Sequence, residues 1–383
     1  MARTVEIVYP VCCGMDIHKN FLVACIAVTD KHSHTEHHIR RFSTFTGDLR
    51  RLSKWLVSNN CNDVCIESSG KYWIPVFNAL EKTGINVCLT HPKYVKAIKG
   101  KKTDKKDAKW ISELFKCDLV RSSFIPPPDI RQLRDLCRYY VKLTGTASGE
   151  KNRAQNCLTM YNFKLDDVFA DVFGKSAIRV LDALLEHGNG DFELDGLIHG
   201  KCKSSPEKIR AALEGELNPA QVEKLGLIRQ HMRDLDTLKA ALEKLIYKLA
   251  AKYQAQIDLL MTVPGIASHL TAIRILAEIG ADMSVFETAK QLVSWTGLTP
   301  QNQESAGKKS LIAIARKLLT AIWHILSKNE ASITPPVKGS YFVARIFCSL
   351  QGGGRSFTDV RQGRQRSRGE NRPPQNSYLL LAE

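Results

Sequence analysis

Two aspartates, Asp104 and Asp107, stand three residues apart inside a run of lysines. The segment His91–Lys109 reads HPKYVKAIKGKKTDKKDAK. Its lysines are Lys93, Lys96, Lys99, Lys101, Lys102, Lys105, Lys106 and Lys109. Carboxylates at that spacing are neighbours on one face of a helix. Lysines at that density attract a polyanion. Together they suggest a metal-binding carboxylate pair set in a phosphate-binding surface. The plain alternative is a solvated basic helix with internal salt bridges, which is what most charge runs are. A second polar cluster, HSHTEHH at 32–38, lies between two strand-like runs and reads as a hairpin loop rather than a metal site.

The flanking elements decide which other groups can reach these aspartates. Three apolar runs, Val11–Ile17, Phe21–Val28 and His37–Phe42, read as consecutive strands joined by hairpins. A helix over Leu49–Leu56, a buried-type strand over Asp63–Glu67, a helix over Trp73–Lys82 and a strand over Ile85–Thr90 follow. A helix from about Asp104 to Cys117 comes next, with Asp104 as its N-cap and Asp107 at the third helical position. Three antiparallel strands followed by alternating crossovers is the ribonuclease H-like pattern. In it the first strand and the Asp63–Glu67 strand are parallel neighbours. Asp16 and Glu67 then converge at the sheet end, the usual ligand site of an open α/β sheet. Asp16, Glu67, Asp104 and Asp107 together would suit two hard divalent cations.

The totals agree with a nucleic-acid protein. The chain has 383 residues, enough for two or three domains, and its 44% hydrophobic content can fill real cores. A formal net charge of +16 points to nucleic acid or an anionic membrane surface. There is no run of 18 apolar residues and no signal-peptide pattern, which weakens the membrane reading. The eleven cysteines are scattered without a CxxC pair, so they read as reduced core residues of a cytoplasmic protein.

Beyond a domain over residues 8–125, Pro126–Pro128 reads as a linker. A helix from about Ile130 to Met160 carries Arg131, Arg134, Arg138, Lys142, Lys151 and Arg153; it could lie along a nucleic-acid backbone, or be a surface helix docked on its neighbour. Asn218-Pro219 then caps an uninterrupted helix to about Leu260. Its stripe of Leu235, Leu238, Leu242, Leu245 and Leu249 could be intramolecular core, but its length without a break favours a coiled-coil arm and a dimer, closing a helical region over 129–260. Thr262–Ile266 (TVPGI) reads as a helix-hairpin-helix turn, with Gly265 placed to let backbone amides meet a phosphate. An ordinary turn between helices is the plain alternative. Ser305, in a small-residue turn beside Lys308 and Lys309, could act as a nucleophile toward phosphate.

With these landmarks the chain resembles the DEDD-type transposases of bridge-RNA-guided insertion sequences. The matching stretches are GMDIHKN (14–20), CIESSG (65–70), residues 91–111, LMTVPGI (260–266), residues 277–309 and IAIARKLLTAIWHIL (312–326). The resemblance implies a RuvC-like ribonuclease H-fold domain, a long helical coiled-coil segment and a small mostly α-helical transposase domain over 261–328. It implies Asp16, Glu67, Asp104 and Asp107 as ligands of divalent metal, Mg2+ by expectation, and Ser305 as the nucleophile that forms a transient phosphoserine link to DNA. It further implies DNA ends and target as substrates, a guide RNA, a dimer or higher oligomer with a composite site, and work at the bacterial or archaeal nucleoid.

The chain also departs from that pattern. Family members place a further segment between the SAGKK loop and the helix that follows, whereas here Ser310 runs straight into LIAIARKLL. Residues 331–383 fit no family pattern, and their glycine- and arginine-rich composition reads as disordered. Three readings follow: an active RNA-guided transposase, a shortened remnant that binds nucleic acid without completing recombination, and a structure-selective nuclease. The TVPGI and serine blocks argue against the third.

Overall fold

The computed structural model describes residues 6–67, 70–95, 103–187, 192–194, 196–199, 202, 204–298 and 306–331, without the side chains of 306–311. Two compact units, Met1–Ile125 and Pro126–Glu383, make up the chain. The first unit runs β1 (Val11–Ile17), β2 (Phe21–Thr29), β3 (Thr35–Ser43), α1 (Thr46–Ser58), β4 (Asp63–Glu67), α2 (Trp73–Glu81), β5 (Asn86–Thr90), α3 (Pro92–Val95) and α4 (Asp104–Lys116). Its single five-stranded sheet has the order β3-β2-β1-β4-β5. β2 is antiparallel to β1 and β3, while β4 is parallel to β1 and β5. That order and those directions are the ribonuclease H-like arrangement expected from the sequence.

The apolar patterning explains the layers. β1, β2 and β4 are covered on both faces, which is why they read as near-continuous apolar runs. One face packs Met15, Ile17, Leu22, Ile26, Val64 and Ile66 against the Leu49/Leu52/Leu56 stripe of α1 and Val76 and Leu80 of α2. Each such side chain contributes roughly 1.5–3 kcal/mol on burial. The other face packs Cys12, Ala27 and Cys65 against Ile111 and Phe115 of α4. Side chains alternate along β1, so Gly14 and Asp16 share the α4 face with Cys12. β3 forms one edge and is charged along much of its length, the ordinary protection of an open strand. The histidine cluster divides between the β2–β3 turn and β3. In the turn, Asp30 Oδ1 accepts from the backbone N–H groups of His32 and His34 at 2.9 and 2.8 Å. On the strand, His37 meets Glu113 of α4 at 2.6 Å.

The second unit is helical. It contains α5 (Pro128–Met160), α6 (Leu165–Val168), α7 (Lys175–His187), α8 (Pro206–Ala212), α9 (Pro219–Ala250), α10 (Gln254–Met261), α11 (His269–Ile279), α12 (Ala289–Trp295) and α13 (Ala306–Lys328). The expected continuous helix to Leu260 is broken by a 3₁₀ turn over Ala251–Tyr253. α9, of 32 residues and about 48 Å, is one arm of an intramolecular hairpin with α5. Cys157 meets Gln221, Glu150 meets His231, Tyr140 lies under Lys239, and Asp129 meets Lys252 and Tyr253. Numbers that rise on one helix as they fall on the other fix an antiparallel pair. Part of the predicted α9 stripe is therefore used within the chain: Leu235 and Leu242 are buried and Leu249 is half-buried, whereas Leu238 and Leu245 are exposed; Ile246, outside that stripe, is buried as well. At the far end of the hairpin, α6, α7 and α8 close a core around Phe163, Leu165, Val180, Leu181 and Ile209.

α13 packs on α10 and α12 through Ala315, Leu319, Ile322 and Ile325. Trp323 Nε1 donates to the Phe286 carbonyl at 3.0 Å. The expected small-residue turn after Ser305 is instead helix from Ala306 onward. The tail from residue 332 lies outside the described residues. Cysteines among the described residues are all free.

Candidate metal centre and nucleic-acid surfaces

β1 carries Asp16 one residue before its end. The tight turn to β2 follows, closed by the His18 N–H donating to the Phe21 carbonyl at 2.8 Å. Met15 pairs with Ile66 on the parallel neighbour β4, so Asp16 and Glu67 come at adjacent strand ends, both on the α4 face. α4 begins beside them. Its N-cap is Thr103, whose Oγ1 accepts from the Lys106 N–H at 3.3 Å. This corrects the expectation that Asp104 caps the helix. The threonine takes over the capping bond, and Asp104, now the first helical residue, keeps its carboxylate for the site.

The structure brings together Asp16, Asp104 and a residue the sequence reading missed. His18 Nε2 lies 3.2 Å from Asp16 Oδ2 and 3.4 Å from Asp104 Oδ1. Ligand atoms of these three residues all lie within 4.8 Å of one another. Glu67 and Asp107 are not in that close group. Asp107 is still near enough to act electrostatically on Asp16. The Asp16 side chain is 16% exposed. Burial is the main force raising its carboxyl above the usual range. The His18 charge opposes this, and Asp104 and Asp107 add to it. A carboxylate held against burial and like charge is one that a cation would relieve.

The donor set fits a divalent cation on two grounds. Two carboxylates and an imidazole nitrogen are ordinary ligand chemistry. Moreover, His18 Nε2 is buried yet aligned for no hydrogen bond, although two carboxylate oxygens flank it. Its sequence signal was the HK pair two residues after Asp16, which lies within the GMDIHKN block.

Of the lysines, Lys93, Lys105 and Lys106 are exposed around the start of α4. Lys96, Lys99, Lys101 and Lys102 lie outside the described residues, as do Ser305 and the side chains of Lys308 and Lys309. A basic groove of about 710 Å³, also missed in the sequence, runs along β3 and α1 and is lined by Arg40, Arg41, Arg51, Lys54 and Trp55. In the second unit the arginines of α5 are largely committed within the fold. Arg134 donates to the Ala277 and Glu278 carbonyls at 2.9 and 2.8 Å, and Arg138 grips the Glu278 carboxylate with two bonds of 2.8 Å. They anchor the end of α11, the arrangement of a helix docked on its neighbour. Arg153 pairs with Glu150, and Lys151 stands 5.4 Å from the Phe173 ring centre. Between α10 and α11, Gly265 has φ +94°, and the Ile266 N–H donates to the Val263 carbonyl at 3.0 Å. Pro264 followed by a positive-φ glycine is the turn chemistry that the TVPGI pattern predicted.

The strand order and directions define a ribonuclease H-like fold. A sequence profile described as Transposase, from the DEDD group, matches residues 13–163, and one described as Transposase IS116/IS110/IS902 family matches 257–338. Together they cover more than half of the chain, in the expected order. The chain belongs to the IS110 family of transposases. No curated protein matches it. Among solved structures, the Fowlpox virus resolvase, crystallised with its substrate Holliday junction DNA, is 18% identical over 27% of this chain and 72% of that one, with a TM-score of 0.19. A likeness that loose leaves the fold resting on the strand order. Among the described residues no helix is long and apolar enough to cross a membrane.

Proposed function

We propose that this transposase cuts and rejoins DNA through a covalent serine–phosphodiester link, in a metal-dependent site, with its DNA partners chosen by pairing to an element-encoded RNA. The observation that carries the reading is the meeting of Asp16 and Asp104 around a buried, unaligned His18 nitrogen, in a chain of this family. Asp16, Glu67, Asp104 and Asp107 would hold the ions, magnesium in the first instance. A divalent ion there would polarise a phosphodiester oxygen and offset the charge that develops on the phosphoryl group. Ser305 Oγ forms a bond to phosphorus, one phosphorus–oxygen bond to deoxyribose breaks, and the serine proton is lost as the leaving oxygen gains one. The phosphodiester count is unchanged, so strands can be exchanged without an external energy source.

Lys93, Lys96, Lys99, Lys101, Lys102, Lys105 and Lys106 would lead the nucleic-acid backbone to the carboxylates. Lys151, Arg153, Lys308, Lys309 and the Gly265 turn would add contacts elsewhere on it. Base pairing to a guide RNA would select the sequence, leaving the protein to read backbone and shape. A dimer would form through the half of the α9 stripe that α5 leaves uncovered, Leu238 and Leu245. One protomer would then offer carboxylates and the other Ser305.

The test is strand exchange by purified protein with its element RNA and DNA ends. Ser305→Ala should abolish the covalent protein–DNA product, and Asp104→Ala should abolish both cleavage and product. Joining that survives Ser305→Ala removes the serine step from the proposal. A second reading draws on the direct run from SAGKK into α13, without the segment expected between them. In that reading the chain is a shortened transposase that binds nucleic acid and stops there. Binding with no covalent product by the unmodified protein would establish it.

A further inference from the structure

The nitrogen between the two aspartates has a geometry that carboxylates alone do not explain. Donors held about 2.1 Å from a cation stand about 3.0 Å apart at a right angle and about 3.4 Å apart at the tetrahedral angle. His18 Nε2 is 3.2 Å from Asp16 Oδ2 and 3.4 Å from Asp104 Oδ1, inside that range. It is also buried with no aligned hydrogen bond. A nitrogen that merely bridged two carboxylates would be expected to point its N–H along one of them.

The rest of the ring is held for this orientation. The His18 N–H closes the turn onto the Phe21 carbonyl at 2.8 Å, which fixes the backbone. The Phe21 ring lies against the imidazole, with centres 4.7 Å apart. On the Phe21 ring sits the Arg41 guanidinium, 3.7 Å from the ring centre. The turn and this aromatic–cation pair limit the rotation of the side chain, as the supporting shell of a ligand must.

We propose that His18 is a nitrogen ligand of the cation held by Asp16 and Asp104, and that it shifts the centre's preference from magnesium toward manganese and the later first-row divalent ions. The inference rests on the reading of Asp16 and Asp104 as metal ligands. Its chemical basis is that imidazole gains more from a transition-metal ion than from magnesium, which favours an all-oxygen shell. A centre with one nitrogen donor therefore takes Mn2+ in preference to Mg2+ by a wider margin than four carboxylates would.

The test uses the full-length protein stripped of metal and titrated with Mn2+, followed by electron paramagnetic resonance. Unmodified protein should show coupling of bound Mn2+ to a directly ligated nitrogen, and His18→Ala and His18→Asn should lose that signal. The Mn2+ dissociation constant should rise at least about tenfold in His18→Ala, the loss that even an outer-shell partner's removal produces. The Mg2+ constant, measured by competition, should rise less. Asp104→Asn separates the two readings. Mn2+ binding that falls with Asp104→Asn but shows no nitrogen coupling in the unmodified protein overturns the His18 role alone. No Mn2+ binding, or binding indifferent to Asp104→Asn, overturns the carboxylate site and His18 with it. Coupling that survives both His18 variants also overturns the proposal.

Discussion

Gly14 lies directly under Ser112. A methyl group on it would come within 2.3 Å of the Ser112 nitrogen and 2.4 Å of the Ala108 carbonyl oxygen. The missing side chain lets the α4 backbone rest on β1, and α4 carries Asp104 to Asp16. Gly14→Ala forces helix and strand apart, because both contacts are rigid backbone. The expected loss is about 1–3 kcal/mol or more, as in other overpacked cores, read as a lower denaturant midpoint. Mn2+ affinity should fall with it. Gly47, at the start of α1, has nothing within 4 Å of its would-be methyl. Gly47→Ala should therefore leave stability unchanged or slightly higher. Equal effects at the two glycines would refute the close-approach argument.

Asp16 should trade stability for binding. Burial and the two acidic neighbours raise its carboxyl, with His18 working against them. The fold thus favours the protonated form. The stability this gives is full below the unfolded value and is lost as pH rises through the folded one. At neutral pH the ionised group therefore burdens the metal-free protein. Asp16→Asn should raise the melting temperature in chelator at pH 7 and remove the added stability that Mn2+ gives the unmodified protein. A lower melting temperature in chelator would mean that the ionised carboxylate is a net stabiliser.

Much of this centre could be read from the sequence, and the exceptions have physical causes. The strand order followed from continuous apolar runs and turn residues, because β1, β2 and β4 are buried on both faces and leave a strong signal. Asp16, Glu67 and the start of α4 followed from that topology. His18 did not, because a histidine in the three-residue connection between β1 and β2 carries no periodicity. Only the fold shows that its ring is turned toward Asp104, 86 residues away in the chain. Thr103 was missed as the cap because aspartate ranks ahead of threonine in N-cap preference. The α9 stripe had the right spacing for a coil, but spacing does not name the partner, and α5 of the same chain supplies part of it. The arginines of α5 show the same limit: a basic helix and a helix anchored to α11 have the same composition.

At the open end of the α5–α9 hairpin, Asp129 accepts hydrogen bonds from Lys252 and Tyr253. Burial pushes its carboxyl up, but these bonds prevail and bring it from the ordinary 3.8 down to about 2. The sign is opposite to that of Asp16. A lowered folded value contributes stability that is present above the unfolded value and lost as pH falls toward the folded one. Resistance of the helical unit to urea should weaken as pH falls from about 4 to about 2. In Asp129→Asn that part of the acid dependence should be missing. An identical slope in the two proteins would remove Asp129 from the account.

Glu278 tests the assignment of the α5 arginines to the fold. Its side chain is mostly buried, and it takes both bonds from Arg138 while Arg134 caps the last carbonyls of α11. Glu278→Gln keeps the shape but removes the charge, leaving Arg134, itself largely buried, without its counter-ion. Bonds to charged groups contribute about 1.5–3 kcal/mol, so the substitution should destabilise the helical unit by an amount in that range. Arg138, more exposed, can turn to water. Arg138→Ala should therefore lose less than Glu278→Gln. If these arginines instead served nucleic acid, Glu278→Gln would free them: stability would hardly change, and RNA or DNA binding would tighten. Urea unfolding and a salt-dependent binding titration on the same variant decide between the two. A steeper salt dependence with an unchanged midpoint would return Arg134 and Arg138 to the nucleic-acid surface.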